Sequence, residues 1–398
     1  MNAAPDYNAL LAAYYKAADP TLTQQEIGVR ANIGTQAQVS RLLADARLKG
    51  YLREVFEFPP DMPRDTRDQL RRQFEQSFYQ RHADLEAALV KHAEQLCGTR
   101  SDGGSPFKRL HVVAAPGLSE DDKAREEAFD AFGASAAEIV SSYIDEADSC
   151  CVAWGRTINA TVRHIRSRPR SAERRKIFLP IAGEPTNFEP NGVSPSDAAR
   201  ILAAAWPGSE SLSLRGVQAR IPRTVYEHDQ DGIARELASY SDSYQQIFGQ
   251  QDSRPLIDRV AMILTGIGDV RTSKRTGERT TQSDPLYLET AKAEDPNVLG
   301  LAVGNIGGVW IARDNLTEED RHKVEQVNER WLGAQRADFR RCSLNAVPGQ
   351  RPGVVVLAVE PEKAGIILEA LYLVNVLIIS RQLAETLASD LLGGRRPV

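Results

Sequence analysis

Four short segments combine glycine with side chains able to grip a small polar molecule. In Trp154-Gly155-Arg156-Thr157, directly before a helical pattern, backbone N–H groups, a guanidinium and a hydroxyl meet at one helix start. Helix starts attract anions, and charged donors hold phosphate or carboxylate well. Gly183-Glu184-Pro185-Thr186-Asn187 and Gly266-Ile267-Gly268-Asp269 add carboxylates and an amide suited to hydroxyl groups. Gly304-Asn305-Ile306-Gly307-Gly308 adds a second amide. One glycine-rich loop says little, because glycine ends strands in every fold class. Four loops at the ends of predicted strands point to a single polar pocket. The expected occupant is a small hydroxylated metabolite bearing a phosphate or carboxylate, held by Trp154, Gly155, Arg156, Thr157, Glu184, Asn187, Gly266, Gly268, Asp269 and Asn305.

A second chemical set lies near the N-terminus, in Leu22 to Leu52. Thr23 and Glu26, three apart, form a capping box for a short helix. Ile27 and Ala31 give that helix an apolar stripe, and Asn32-Ile33-Gly34 supplies a turn tolerant of positive φ. Thr35 caps a second helix whose Val39, Leu42, Leu43 and Ala46 face inward. Gln36, Gln38, Ser40 and Arg41 are left outside. Gln matches the edge of adenine, Arg that of guanine, and Ser or Thr can reach phosphate or base. A polar pattern of this kind fits any solvated helix face. The capping box, turn and second cap around it turn the reading toward a helix-turn-helix that enters the major groove of double-stranded DNA. Thr23, Thr35, Gln36, Gln38, Ser40 and Arg41 are the expected operator contacts.

Composition narrows the remaining choices. The chain has 398 residues, 42% hydrophobic, which fits two or three globular domains. A formal net charge of −5 excludes indiscriminate coating of nucleic acid, so any DNA contact must be local. Cys97, Cys150, Cys151 and Cys342 show neither CxxC nor Cys/His metal spacing and are expected to be buried thiols. Neither a metal nor a cofactor is expected. The N-terminus has no signal pattern, and the apolar stretch from Ala370 to Ile379, broken by Asn375, is too short to span a bilayer. A soluble, cytoplasmic chain with no membrane partner follows as the expectation.

These residues need a scaffold. A helix over Asp6 to Ala18 can pack under the reader pair, and Tyr51 to Phe58 alternates as a strand, the wing of a winged module. Pro59, Pro60 and Pro63 mark a boundary, after which Arg64 to Cys97 carries a long helical pattern suited to oligomer contacts. From Leu110 onward, short apolar strands alternate with helices, which predicts an α/β domain with a doubly wound, mostly parallel sheet covered on both faces. Ligands of such sheets bind beyond the carboxyl ends of the strands. The expected organisation is a DNA-binding domain over 1–58, a linker and long helix over 59–105, and an effector domain over 106–398. The basic segment Arg271 to Ser283 is expected to be a strand-poor loop.

The segments TQAQVSRLLADARLKGYL, AWGRT, ILTGIGD, GNIGG and VNVLIISRQLAETL, in this order, resemble SorC-type, sugar-responsive bacterial transcriptional regulators. The resemblance implies an effector domain of the sugar-phosphate isomerase fold, turned from catalysis to sensing, and a homodimer or homotetramer on operators of carbohydrate genes. It also implies a ligand contact for Lys363. The chain departs from the family at Asn305, at Ala358-Val359-Glu360 and at Ile379-Ser380-Arg381, which loosens the expected effector from a sugar phosphate to a small polar metabolite. The competing class is an enzyme of the same fold with an appended helix-turn-helix. All six histidines fall outside the four glycine-bearing segments and no Ser/His/Asp set is evident, so no catalytic residue is assigned.

Overall fold

The computed structural model describes residues 7–19, 22–48, 82–98, 105–113, 115–118, 122–167, 175–184, 194–228, 232–249, 254–272, 279–280 and 298–393. The expected wing, the prolines at 59, 60 and 63, and Asn187 lie outside them. The chain divides into two compact units, Met1–Ala87 with Ala114–Ala128, and Ala88–Val113 with Phe129–Val398. The division falls inside α4, a helix over 82–98 that is the described part of the long helical pattern.

The first unit holds α1 (Tyr7–Ala18), α2 (Gln24–Ala31) and α3 (Gln36–Leu48). Ile27 and Ala31 of α2, and Val39 and Leu43 of α3, are four apart, so each helix offers one stripe to Leu10, Leu11 and Tyr15 of α1. Burying a leucine in this way contributes about 1.5–3 kcal/mol. Ala9, Ala13 and Ala46 form a second buried group on α1 and α3. Asn32 (φ 53°) and Gly34 (φ 107°) turn the chain between α2 and α3, as the sequence predicts. The turn closes tightly on α2. A Cβ at Gly28 would stand 2.7 Å from the carbonyl oxygen of Gly34.

The second unit is built on β1 (Arg109–Val113), β2 (Ser149–Val152), β3 (Ile177–Pro180), β4 (Glu210–Ser211), β5 (Met262–Asp269), β8 (Ala302–Ile306), β9 (Val309–Ala312), β10 (Gly353–Ala358) and β11 (Val376–Ser380). Seven of them run parallel in the order β1-β11-β10-β5-β2-β3-β4. All residues of β10 (GVVVLA) and β11 (VLIIS) are buried, so both faces of the sheet are covered, and the continuous apolar runs follow from that. Between the strands lie α5 (Asp122–Glu146), α6 (Arg156–His164) and α7 (Pro195–Ala205).

Two buried polar residues tie the layers together. Asn375, which interrupts the apolar stretch, accepts from the Val354 N–H at 2.8 Å and donates to the carbonyls of Pro106 and Ser343 at 2.9 Å each. Lys176 donates to the carbonyls of Ile144, Asp145 and Ala147 at 2.8, 3.0 and 2.5 Å, placing its cation at the C-terminal end of α5. All four cysteines are buried. Burial pushes the Cys150 and Cys342 thiols up to about 12 and holds Cys151 well above the ordinary thiol range.

The structure corrects the sequence reading at several places. Gly266-Ile267-Gly268-Asp269 is not a loop, because β5 continues to Asp269 and its last three residues pair antiparallel with β8. The glycines there allow two backbones to close up: a Cβ on Gly304 would lie 2.0 Å from the Gly268 carbonyl oxygen. Of the fourth segment, only Gly307-Gly308 is turn, and β9, which the sequence reading lacks, follows it. The basic segment is not free of strand, since β6 (Arg271–Thr272) and β7 (Arg279–Thr280) pair antiparallel. The sequence pattern of Ile233 to Phe248 reads as one helix, but the segment forms two, Ile233–Ser239 and Asp242–Phe248, because the Ser241 hydroxyl caps the second at Tyr244 N–H. The helix Arg336–Leu344 is a further addition, started by a capping box of Gln335 and Asp338. Among the described residues no helix is long and apolar enough to cross a membrane.

Candidate functional site

From β2 the chain winds outward through β3 to β4, then returns to β5 and winds the other way through β10 to β11. The order therefore reverses between β2 and β5, the point at which open α/β sheets bind ligands. A cleft of about 620 Å³ opens there. Its floor is β5 from Thr265 to Gly268, and one side is the segment Ala153 to Ile158 that leaves β2 and begins α6. Asn305, Gly307 and Gly308 close the far side.

Gly155 starts α6 in a conformation (φ 119°, ψ 162°) that L side chains rarely adopt. No side chain caps this helix; the first intrahelical bond runs from Asn159 N–H to the Gly155 carbonyl at 2.8 Å. The N–H groups of its first turn therefore belong to the cleft end of α6, where an anion is favoured. Trp154 stacks on the buried Trp331 at 5.8 Å and 22°, and the Arg220 guanidinium sits 5.7 Å from the same Trp331 ring. An indole face and an amide at Asn305 thus share the cleft with the helix start.

Arg156 and Lys363, both expected from the sequence, meet on a carboxylate that was not among the predicted site residues. Glu360, two residues after the end of β10, has a side chain only 1% exposed. Its Oε1 accepts from Arg156 Nη2 at 3.1 Å, and its Oε2 lies 2.7 Å from Lys363 Nζ. The short 3-10 turn Pro361–Lys363 brings the lysine back onto the carboxylate, while Arg156 arrives from 204 positions earlier and also lies 4.7 Å from the Phe129 ring. A carboxylate that ends the apolar run Val354 to Val359 was the available signal.

Of the predicted ligand residues, the cleft brings together Trp154, Gly155, Arg156, Thr157, Gly266, Gly268, Asn305 and Lys363. Glu184 and Asp269 do not line it. Asp269 is buried at the β8 end of β5, three residues, or about 10 Å of strand, beyond Gly266. Glu184 bridges to Gln218 instead; burial raises its carboxyl above the usual range, against hydrogen bonds from Ser196 and Ser194.

On the N-terminal unit, Gln36, Gln38, Ser40 and Arg41 are all exposed on α3. Thr23 and Glu26 form the expected capping box: Glu26 N–H donates to the Thr23 hydroxyl at 3.3 Å and Thr23 N–H to the Glu26 carboxylate at 2.8 Å. The threonine–glutamine spacing that opens α3 makes a second one. Thr35 N–H donates to Gln38 Oε1 at 2.8 Å, and Gln38 N–H to the Thr35 hydroxyl at 3.4 Å. Gln38, read from the sequence as a base contact, therefore spends its carbonyl oxygen on the helix start. Gln36, Ser40 and Arg41 are not so tied.

No protein-family model matches the chain, and no curated protein matches it. Among solved structures it is similar to the full-length sorbitol operon regulator SorC from Klebsiella pneumoniae, at 19% identity and a TM-score of 0.51, over 96% of this chain and 99% of that one. It is also similar to the probable sor operon regulator from Shigella flexneri, at 18% identity and a TM-score of 0.50, over 75% of this chain and 98% of that one. Helix-turn-helix unit and cleft-bearing parallel sheet together give this chain the fold of full-length SorC.

Proposed function

We propose that the chain is a ligand-responsive transcriptional regulator. Residues 22–48 bind an operator in double-stranded DNA through α3, and the cleft between β2 and β5 binds a small hydroxylated metabolite that changes operator binding. The observation that carries this reading is the presence, in one chain, of a doubly capped three-helix module with Gln36, Ser40 and Arg41 exposed and a polar cleft at the reversal of strand order. The fold likeness to a sorbitol operon regulator supports a carbohydrate-related ligand.

One module buries little DNA surface, so the reader acts as a symmetric homodimer or homotetramer on half-sites about 34 Å apart or multiples of that. A ligand alters binding only through its different affinity for two subunit arrangements. Operator binding assigns the chain to the cytoplasm. Sensing is favoured over catalysis because Glu360, the one carboxylate lining the cleft among the described residues, is engaged by two cations, a poor state for a general base.

Selection of bound fragments from genomic DNA, followed by titration with a metabolite library, tests the reading. A recovered operator, weaker binding by Arg41→Ala, and a metabolite that shifts the titration and is recovered unchanged are expected. Failure to select any sequence, or turnover of the metabolite, overturns it.

A further inference from the structure

We infer that the cleft binds its ligand as a closed sugar ring, laid over Gly266 against the indole of Trp154, and discriminates against open-chain polyols. This deepens the reading of the cleft as the effector site and rests on it. Three of the glycines that line the cleft are glycine for reasons internal to the fold. Gly155, Gly307 and Gly308 have φ of 119°, 54° and 94°. A Cβ on Gly307 would also stand 2.7 Å from the Phe339 ring, and one on Gly308 2.2 Å from the Trp331 ring. Gly266 has neither reason. Its φ lies outside the left-handed region, it stands inside β5, and among the described residues a Cβ there would meet nothing nearer than Ile158 Cγ1 at 3.9 Å. Glycine inside a strand weakens it and marks a place where a ligand or a second backbone comes close. No described backbone does so here, and the residue lies on the cleft floor, so the space is the ligand's.

The strand register brings an indole to the same level. β2 and β5 run parallel with Val152 beside Leu264, and the Ala153 N–H continues the ladder to the Leu264 carbonyl at 2.9 Å, so Trp154 comes level with Gly266. Trp154 is partly exposed and lines the cleft. Behind it stacks Trp331, which is 1% exposed and so closely flanked that neither Gly308 nor Gly333 leaves room for a Cβ. The platform is therefore fixed before a ligand arrives. An apolar face turned to a polar cleft gains by being covered, and a ligand with a flat apolar face covers it. A closed sugar ring has such a face of C–H groups, with hydroxyls around its rim for the Thr157 hydroxyl and the Asn305 amide. An open-chain polyol must freeze several torsions to lie flat, whereas a ring is already ordered. A heteroaromatic ring is as flat but brings no hydroxyls to those groups.

Calorimetry on the full chain decides the point. The probes are 1,5-anhydroalditols of the gluco, manno and galacto series, locked as rings, and the parent hexitols, each free and as its 6-phosphate, with adenine as a flat heteroaromatic control. The tightest ring is expected to bind about tenfold more tightly than its open-chain partner, a difference of one decade in Kd. Trp154→Ala is expected to erase that margin, and Trp154→Phe to keep part of it. Gly266→Val places a side chain in the open space, in a strand interior that suits branched residues. It is expected to weaken ring binding by about tenfold with an unchanged melting temperature. If Gly266→Val does not fold, Gly266→Ala and Trp154→Ala carry the test. Hexitols or adenine equal to or ahead of the rings in the wild type overturns the inference and leaves the effector site standing. So does a ring affinity that neither Trp154→Ala nor the Gly266 variant changes. No binding by any probe overturns both readings.

Discussion

The two regions with chemistry to offer keep it in opposite states. On α2 and α3 the polar side chains face solvent, and their structural ties are short: Thr23 to Glu26 at the start of α2 and Thr35 to Gln38 at the start of α3, each three residues apart. In the cleft the charged groups are already matched to one another, and the main tie spans 204 positions, from Arg156 to Glu360. An exposed, locally capped surface can meet a large polyanion without reorganising. A buried set tied across the fold holds its donors and acceptors in fixed positions before a small ligand enters. Local chemistry suits contact with DNA, and long-range chemistry suits selection.

Removing one member of the compensated set tests that contrast most severely. Glu360→Ala leaves Lys363 buried without its partner and is expected to cost about 3–5 kcal/mol. Denaturant unfolding followed by tryptophan fluorescence measures it, and a loss under about 1 kcal/mol would mean the cleft is solvated enough to need no compensation. Next in size, Asn375→Ala strips one hydrogen bond from each of Val354, Pro106 and Ser343 and is expected to cost about 2–4 kcal/mol by the same assay.

On the reader side the effects are smaller and separate by kind. Arg41→Ala is expected to lose about 1–3 kcal/mol of operator affinity with unchanged melting temperature, as fluorescence anisotropy and thermal melts will show. Gln38→Ala is expected to lose about 1 kcal/mol of stability through its cap. Equal effects of the two variants on affinity, with no loss of stability from Gln38→Ala, would restore Gln38 to base reading.

The smallest effect is a pH dependence. Hydrogen bonds from the Thr23 backbone and hydroxyl hold the Glu26 carboxyl below its ordinary 4.5. A depressed folded-state value contributes stability that is present above 4.5 and lost as pH falls through the folded value. Glu26→Gln should therefore flatten the acid limb of the unfolding curve for the helix-turn-helix unit. The same acid limb in the variant as in the wild type would discount the cap.

The same contrast explains what the sequence revealed. Capping boxes and turns are short-range, so Thr23, Glu26, Asn32, Gly34 and Thr35 announced the helix-turn-helix by spacing alone. Apolar runs announced the parallel strands, and the Gly155–Thr157 start of α6 marked one side of the cleft. Glu360 stayed hidden because its meaning depends on an arginine brought over by the fold. Asp269 was read as part of a loop because glycine ends many strands, whereas Gly268 and Gly304 here let β5 run on against β8. Asn375 was visible as an interruption, but its three partners come from three distant segments.

The thiols have a practical consequence. Cys97, Cys150, Cys151 and Cys342 are all buried, and burial keeps three of them protonated far above neutral pH. A maleimide or disulfide reagent at pH 7 to 8 meets none of them as a thiolate at the surface. A cysteine introduced at the exposed Ala37 would then be the single reactive site of the native chain. A fluorophore there would report engagement of α3 on DNA with no native cysteine replaced.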